Sequence, residues 1–188
     1  MRDYAWPADS FDHITSIAWC TGAGVDDVLA AYRASQETVT ASTFEAACVA
    51  ANELLFDQKN SAALVFFGAL GDGIVVMEPN RCMSDTVLAR LSQTGKCLSV
   101  AWSDFVPPVV TYLERGQVVV TFDGIAWEYD ATPDVETVER WMATTSGGVE
   151  EWQANYGTAS LMAGEALVGA AFDEQWLARE HACVTIGG

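Results

Sequence analysis

Residues 110–123, VTYLERGQVVVTFD, constrain the fold more tightly than any other stretch of the chain. They read as two strands meeting at Arg115-Gly116, and a two-residue link between paired strands leaves little freedom of register. With Glu114 facing Gln117, one face collects Val109, Thr111, Leu113, Val118, Val120 and Phe122. The other collects Val110, Tyr112, Glu114, Gln117, Val119 and Thr121. Moving the loop by one residue sets Leu113 against Gln117 and mixes the two sets, so the two-residue turn is the expected register. The first face is apolar enough to bury. The second is amphipathic and is expected to be half covered by a helix.

The remaining segments supply more strands and the helices to cover them. HITSIAWC (13–20), rich in β-branched and aromatic residues, predicts a strand. VDDVLAAYR places Val25, Val28, Leu29 and Tyr32 on one helical face. Ser42 and Glu45 form a Ser-x-x-Glu box that opens a helix reaching Leu54. ALVFFGAL (63–70) and IVVMEP (74–79) predict a hairpin around Gly71-Asp72-Gly73. Ser84 caps a helix that Gly95 ends, and KCLSVAW (96–102) returns to the sheet. Further on, Val135, Val138, Trp141 and Met142 line one helical face, with Glu136 and Arg140 paired outside. YGTASLMAGEALVG (156–169) has the small residues of a helix packed closely on a neighbour, Asp173 caps EQWLARE, and ACVTI (182–186) is expected as a last strand. The predicted fold is α+β: a single domain over 1–188, mainly antiparallel sheet, with helices concentrated in the C-terminal third.

Composition narrows the partners. Hydrophobic residues make up 51% and charged residues 19%, which suits a globular chain and excludes a disordered one. Against 26 acidic residues stand nine basic ones, a formal charge of −17. Nucleic acid and anionic membrane are both bound through Lys and Arg, so neither is an expected partner, whereas a basic protein is. The acid is uneven: residues 123–188 hold 12 acidic and two basic residues, against 14 and seven in residues 1–122. The helical end therefore carries the greater excess. MRDYAWPADSFDH has no apolar run of signal-peptide length, and no stretch approaches the roughly 20 apolar residues of a membrane span. The five cysteines, widely spaced and without Cys-x-x-Cys, are expected to be reduced, which points to a cytoplasmic protein.

The succession AWCTGAGVDDVLAAYR, VVMEPN, VLARLSQTGKCLSVAW, YLERGQVVVTFD and ALVGAAFDEQWL resembles an uncharacterised family of small actinobacterial proteins, a domain of unknown function. SDFVPP is shorter than the Asn-rich loop usual at that place in the family. The resemblance implies an α+β fold and a bacterial cytosolic setting. It implies no activity.

Candidate chemistry is sparse. TGAG (21–24) lies between a strand and a helix, where phosphate-binding turns occur, yet Asp26 and Asp27 follow in the first turn. Acids there suit the helix dipole and repel a phosphate. His13 and His181 are the two imidazoles; His181 lies at a helix end, where it can meet the last carbonyls. With Cys183 it offers two of the usual four metal ligands and nothing completes the set, so no metal and no cofactor is expected. The acid pairs Asp26-Asp27, Glu150-Glu151 and Asp173-Glu174 do not converge, since neighbours on a helix point about 100° apart. The terminal glycines read as a frayed end.

The candidate binding residues are thus Glu78, Trp102 and Asp104, at two strand ends where they would edge a shallow pocket, and Glu150, Glu151, Asp173 and Glu174 on the acidic helical end. No catalytic set assembles. The sequence favours a non-enzymatic, acidic protein–protein interaction domain, immunity-type or regulatory, whose charge speeds and orients binding. The alternative is a small-molecule or enzymatic domain with its pocket at Glu78, Trp102 and Asp104. A DNA mimic needs carboxylates in rows about 1.7 Å apart along an axis, and the acidic runs are too short for that.

Overall fold

The computed structural model describes residues 14–56, 62–103, 107–129 and 134–187. Its centre is one antiparallel sheet of eight strands: β1 (Ile14–Thr21), β2 (Thr40–Ser42), β3 (Ala63–Leu70), β4 (Gly73–Pro79), β5 (Lys96–Ser103), β6 (Val109–Glu114), β7 (Gln117–Asp123) and β8 (His181–Ile186). The spatial order is β2-β8-β3-β4-β1-β5-β6-β7, so the last strand returns to lie between β2 and β3. Seven α-helices are present among the described residues: α1 (Val25–Tyr32), α2 (Phe44–Phe56), α3 (Asp85–Leu91), α4 (Val135–Met142), α5 (Gly148–Ala154), α6 (Tyr156–Val168) and α7 (Glu174–Ala178). Four of them follow Val135 and three precede it, so the helices lean towards the C-terminal end without being confined there. None is long and apolar enough to cross a membrane.

Strand side chains alternate between faces, and here both faces are covered. On one, Ala18, Cys20, Val65, Phe67, Ile74 and Val76 pack under α1 and α3. On the other, Ile17, Trp19, Phe66, Met77, Leu98 and Val100 pack under α2 and α4–α7. Double coverage explains why ALVFFGAL and IVVM are unbroken apolar runs rather than alternating ones. The small residues of α6 do the expected work: Gly164 faces the ring of Trp19 so closely that a Cβ would overlap it. Asp173 caps α7 by accepting from the Trp176 amide at 2.9 Å, Ser84 caps α3, and Arg140 meets Glu136 at 2.7 Å.

Three local expectations are corrected. Ser42 belongs to β2, opposite His181, and the hydroxyl that meets the first turn of α2 is that of Thr43, which accepts from Ala46 N. The expected box does not form: Ser42 is held by strand pairing, and three residues after Thr43 stands Ala46, which has no carboxylate to return the bond. Val25 is exposed, and Ala31 takes its place on the buried face of α1. The hairpin turn is as expected, with Glu114 opposite Gln117 and left-handed backbone at Arg115 (φ 49°) and Gly116 (φ 77°). Beyond it the register slips. Leu113 pairs with Val118, but Tyr112 pairs with Val120, leaving Val119 as a bulge residue.

The slip has a packing cause. It brings Val120 and Phe122 opposite Tyr112 and Val110, onto the face that α4 and α5 cover with Val138, Met142 and Trp152. The expected register would have divided those apolar side chains between two faces. Thr111 and Thr121 now oppose each other on the other face, with their hydroxyls 3.0 Å apart.

Candidate functional site

Glu78 ends β4 on the α1 side of the sheet and is 3% exposed. Tyr32 of α1 donates its hydroxyl hydrogen to Glu78 Oε1 at 2.7 Å, and Arg81 Nε lies 3.8 Å from Oε2. Burial pushes the carboxyl above its ordinary range, while the Tyr32 hydrogen bond and the Arg81 charge pull it part of the way back. Tyr32 is pushed up as well, by burial first and then by the Glu78 charge. Beside them Ser16, in register with Glu78, donates to Arg81 O at 2.9 Å and accepts from Met83 N at 3.1 Å. This network ties α1 and residues 81–83 to the sheet.

Trp102 does not join it. Glu78 is in register with Ser16 and Ala101, whereas Trp102 is opposite Thr15, one step along β1. One step reverses the face. Trp102 accordingly packs edge-on against Trp19 at 6.5 Å, in the layer beneath α2 and α4–α7. The expected pocket at Glu78, Trp102 and Asp104 is thus divided between the two sides of the sheet at its first two members, and Asp104 lies outside the described residues.

The remaining acidic candidates occupy helix starts. Glu150 and Glu151 are in the first turn of α5, Asp173 is the N-cap of α7, and Glu174 follows it. Glu150 and Glu174 are exposed. Asp27 is used in a similar way, with its Oδ2 accepting from Gly24 N at 2.8 Å, so the start of α1 is occupied by the chain's own carboxylate.

The second imidazole, His181, stacks on Trp176 at 4.0 Å, and its Nε2 lies 2.8 Å from Trp176 O, a carbonyl of α7. Burial lowers its pKa, and burial raises that of Cys183 to about 11. His13 lies outside the described residues. Among the described residues no three His, Cys, Asp or Glu side chains gather as a metal site. Cys20 and Cys97 face each other across β1 and β5 with Sγ atoms 3.3 Å apart, both free and fully buried.

Two surfaces escaped the sequence reading. The first is the β6–β7 margin. β7 is one of the two outer strands of the sheet, and Val118 (54% exposed) and Val119 (48%) stand open on it. Val109, Ile125 and Tyr129 are exposed near the other end of β7, Tyr129 being 88% exposed. Its signal was the third consecutive valine of QVVVTFD, one more than an alternating strand needs. The second surface is a cavity of about 290 Å³ between β5, β6, α4 and α6. Its residues come from three distant parts of the chain, and no local motif marks them. Comparison of the chain with known protein families, curated proteins and solved structures returns no match.

Proposed function

We propose that the protein is a non-enzymatic binding module, immunity-type or regulatory, that takes up an extended basic segment of a partner protein along the open edge of β7. The observation that supports this reading is the state of that edge. An outer strand presents unpaired backbone groups, and proteins usually blunt it with Lys, Pro, a bulge or a covering element; β7 carries a bulge at Val119. QVVVTFD contains neither Lys nor Pro, and Val118 and Val119 are exposed on it. An added strand would pair with the free backbone and lay alternate side chains on this apolar strip.

The net charge selects the occupant. Two copies at −17 repel, which disfavours edge-to-edge pairing of the chain with itself, whereas a Lys- or Arg-bearing strand is attracted. Asp123 and Glu128, at the same end as Ile125 and Tyr129, supply local acid.

The test uses the ¹⁵N-labelled protein and two synthetic peptides, one alternating Lys with Val and one alternating Glu with Val. The Lys–Val peptide should shift amide signals within 109–123, and less so as salt rises. The Glu–Val peptide should leave them in place. Replacing both Val118 and Val119 with Lys should remove the response. Equal shifts with both peptides, or shifts that leave residues 117–123 untouched, would refute the reading.

A further inference from the structure

We propose that the cavity between β5, β6, α4 and α6 is a binding site for a single neutral sugar ring. At about 290 Å³ it is at the small end of ligand sites, which run from roughly 300 to 1,000 Å³. That is room for one ring and too little for a nucleotide. Leu98, Ala163 and Leu167 make an apolar floor, and the rings of Tyr112 and Trp141, 5.4 Å apart, form one wall. Trp141 is held from behind by Phe122 at 5.6 Å and Trp152 at 5.7 Å, so the wall exists before any ligand arrives.

The polar groups at the rim decide the ligand class. Thr144 donates its hydroxyl hydrogen to Trp141 O, and Thr145 donates to Met142 O, each at 2.7 Å. Tyr112 donates to Glu114 Oε1, also at 2.7 Å. With those hydrogens committed, what Thr144 and Tyr112 offer a ligand is lone pairs, while Thr145 Oγ1 already accepts from Trp152 Nε1 at 2.9 Å. The one ammonium lining the cavity, that of Lys96, lies 3.5 Å from Glu114 Oε1. The rim therefore offers hydroxyl lone pairs, the Ser146 hydroxyl and one ammonium whose charge Glu114 offsets.

A carboxylate or phosphate has only acceptors to present and would meet the hydroxyl lone pairs of Thr144 and Tyr112, with the Lys96 charge already paired to Glu114. A fixed cation would face Lys96. A pyranose satisfies the set: its hydroxyls donate to Thr144 and Tyr112, one accepts from Lys96, and its C–H face lies on the indole of Trp141. This site is on the face covered by α2 and α4–α7 and shares no lining residue with the exposed valines of β7.

Saturation-transfer NMR of the intact protein with glucose, galactose, mannose and N-acetylglucosamine tests the assignment, with glucuronate and choline as the anionic and cationic arms. At least one neutral sugar should give transfer through its ring protons. Thr144→Val and Lys96→Met, both at exposed rim positions, should each weaken it by roughly three- to tenfold, the value of one hydrogen bond. Their melting curves should confirm that each variant is folded. The proposal is overturned if no neutral sugar gives transfer, if only glucuronate or choline does, or if both folded variants bind the sugar as the parent does.

Discussion

Tyr32 Oη and Glu78 Oε1 are joined by a 2.7 Å hydrogen bond inside the layer between α1 and the sheet. The carboxyl is raised above its ordinary range by burial. A raised acid keeps its proton in the folded protein at pH values where the unfolded chain has already released it. Its contribution to stability is therefore fully present below the ordinary carboxyl pKa and declines as pH rises towards the folded value. Glu78→Gln keeps an acceptor for Tyr32 and cannot ionise. In urea titrations between about pH 4 and about pH 7, stability relative to the parent should shift in favour of Glu78→Gln as pH rises. A difference that stays flat with pH would show that Glu78 titrates alike in both states.

Tyr32→Phe asks the complementary question. It preserves the ring and removes the donor, leaving a buried carboxylate with Arg81 at 3.8 Å. The expected loss at neutral pH is about 1–3 kcal/mol. Because the hydrogen bond favours the ionised carboxyl, the loss should shrink in acid. Equal losses at both ends of the pH range would assign the effect to packing.

Gly164 meets Trp19 where α6 crosses β1. Glycine to alanine inside a helix ordinarily stabilises by about 0.5–1 kcal/mol. Here the new methyl would enter an indole that is fully buried and packed against Phe172 at 5.7 Å, so the ring cannot retreat. Overpacking of that kind costs about 1–3 kcal/mol, which outweighs the propensity gain. Gly164→Ala should lower the melting temperature, and a rise would mean that α6 can lift from the sheet.

Legibility followed the range of the forces involved. Signals carried by a few neighbouring residues were readable: Asp173 as a cap, Arg115-Gly116 as a turn, His181 beside a helix-end carbonyl. The slip at Val119 was not, since it is set by α4 and α5, which begin more than ten residues later in the chain. Glu78 and Trp102 each lie near a strand end, as read, but their faces depend on both registers with β1, and a strand's own sequence does not state its register. The acid excess was visible at once. The open edge of β7 was not, because being outermost is a property of the whole strand order.

The five thiols differ enough in environment to report on local opening. Cys82 is exposed, while Cys20 and Cys97 are fully buried in the centre of the sheet. Burial and the Glu78 charge raise the Cys82 pKa, so its labelling should be slower than that of a free thiol and should accelerate as pH rises. Under native conditions a maleimide should modify Cys82 first, and Cys20 and Cys97 only at the rate of global unfolding. Peptide mass spectrometry distinguishes the sites. Labelling of Cys97 in step with Cys82 would mean that β5 separates from β1 in the native state.

Arg115 adopts a left-handed conformation, φ 49°, that costs a side chain bearing a Cβ about 1–2 kcal/mol. The geometry is imposed from both sides. Glu114 pairs with Gln117 around a two-residue loop, and the Arg115 amide donates to Gly95 O at 2.9 Å, which fastens the turn to the start of β5. With Gly116 also at positive φ, this is the primed turn that matches the right-handed twist of its strands, and Asn-Gly is the pair that fits it best. The Arg115 side chain is exposed, so little packing is lost on replacing it. Arg115→Asn should therefore stabilise the protein by up to about 1 kcal/mol, and Arg115→Val, β-branched and ill suited to positive φ, should destabilise it. Thermal melts of the two variants decide the matter: if both shift the midpoint in the same direction, backbone strain at Arg115 is not what the hairpin carries.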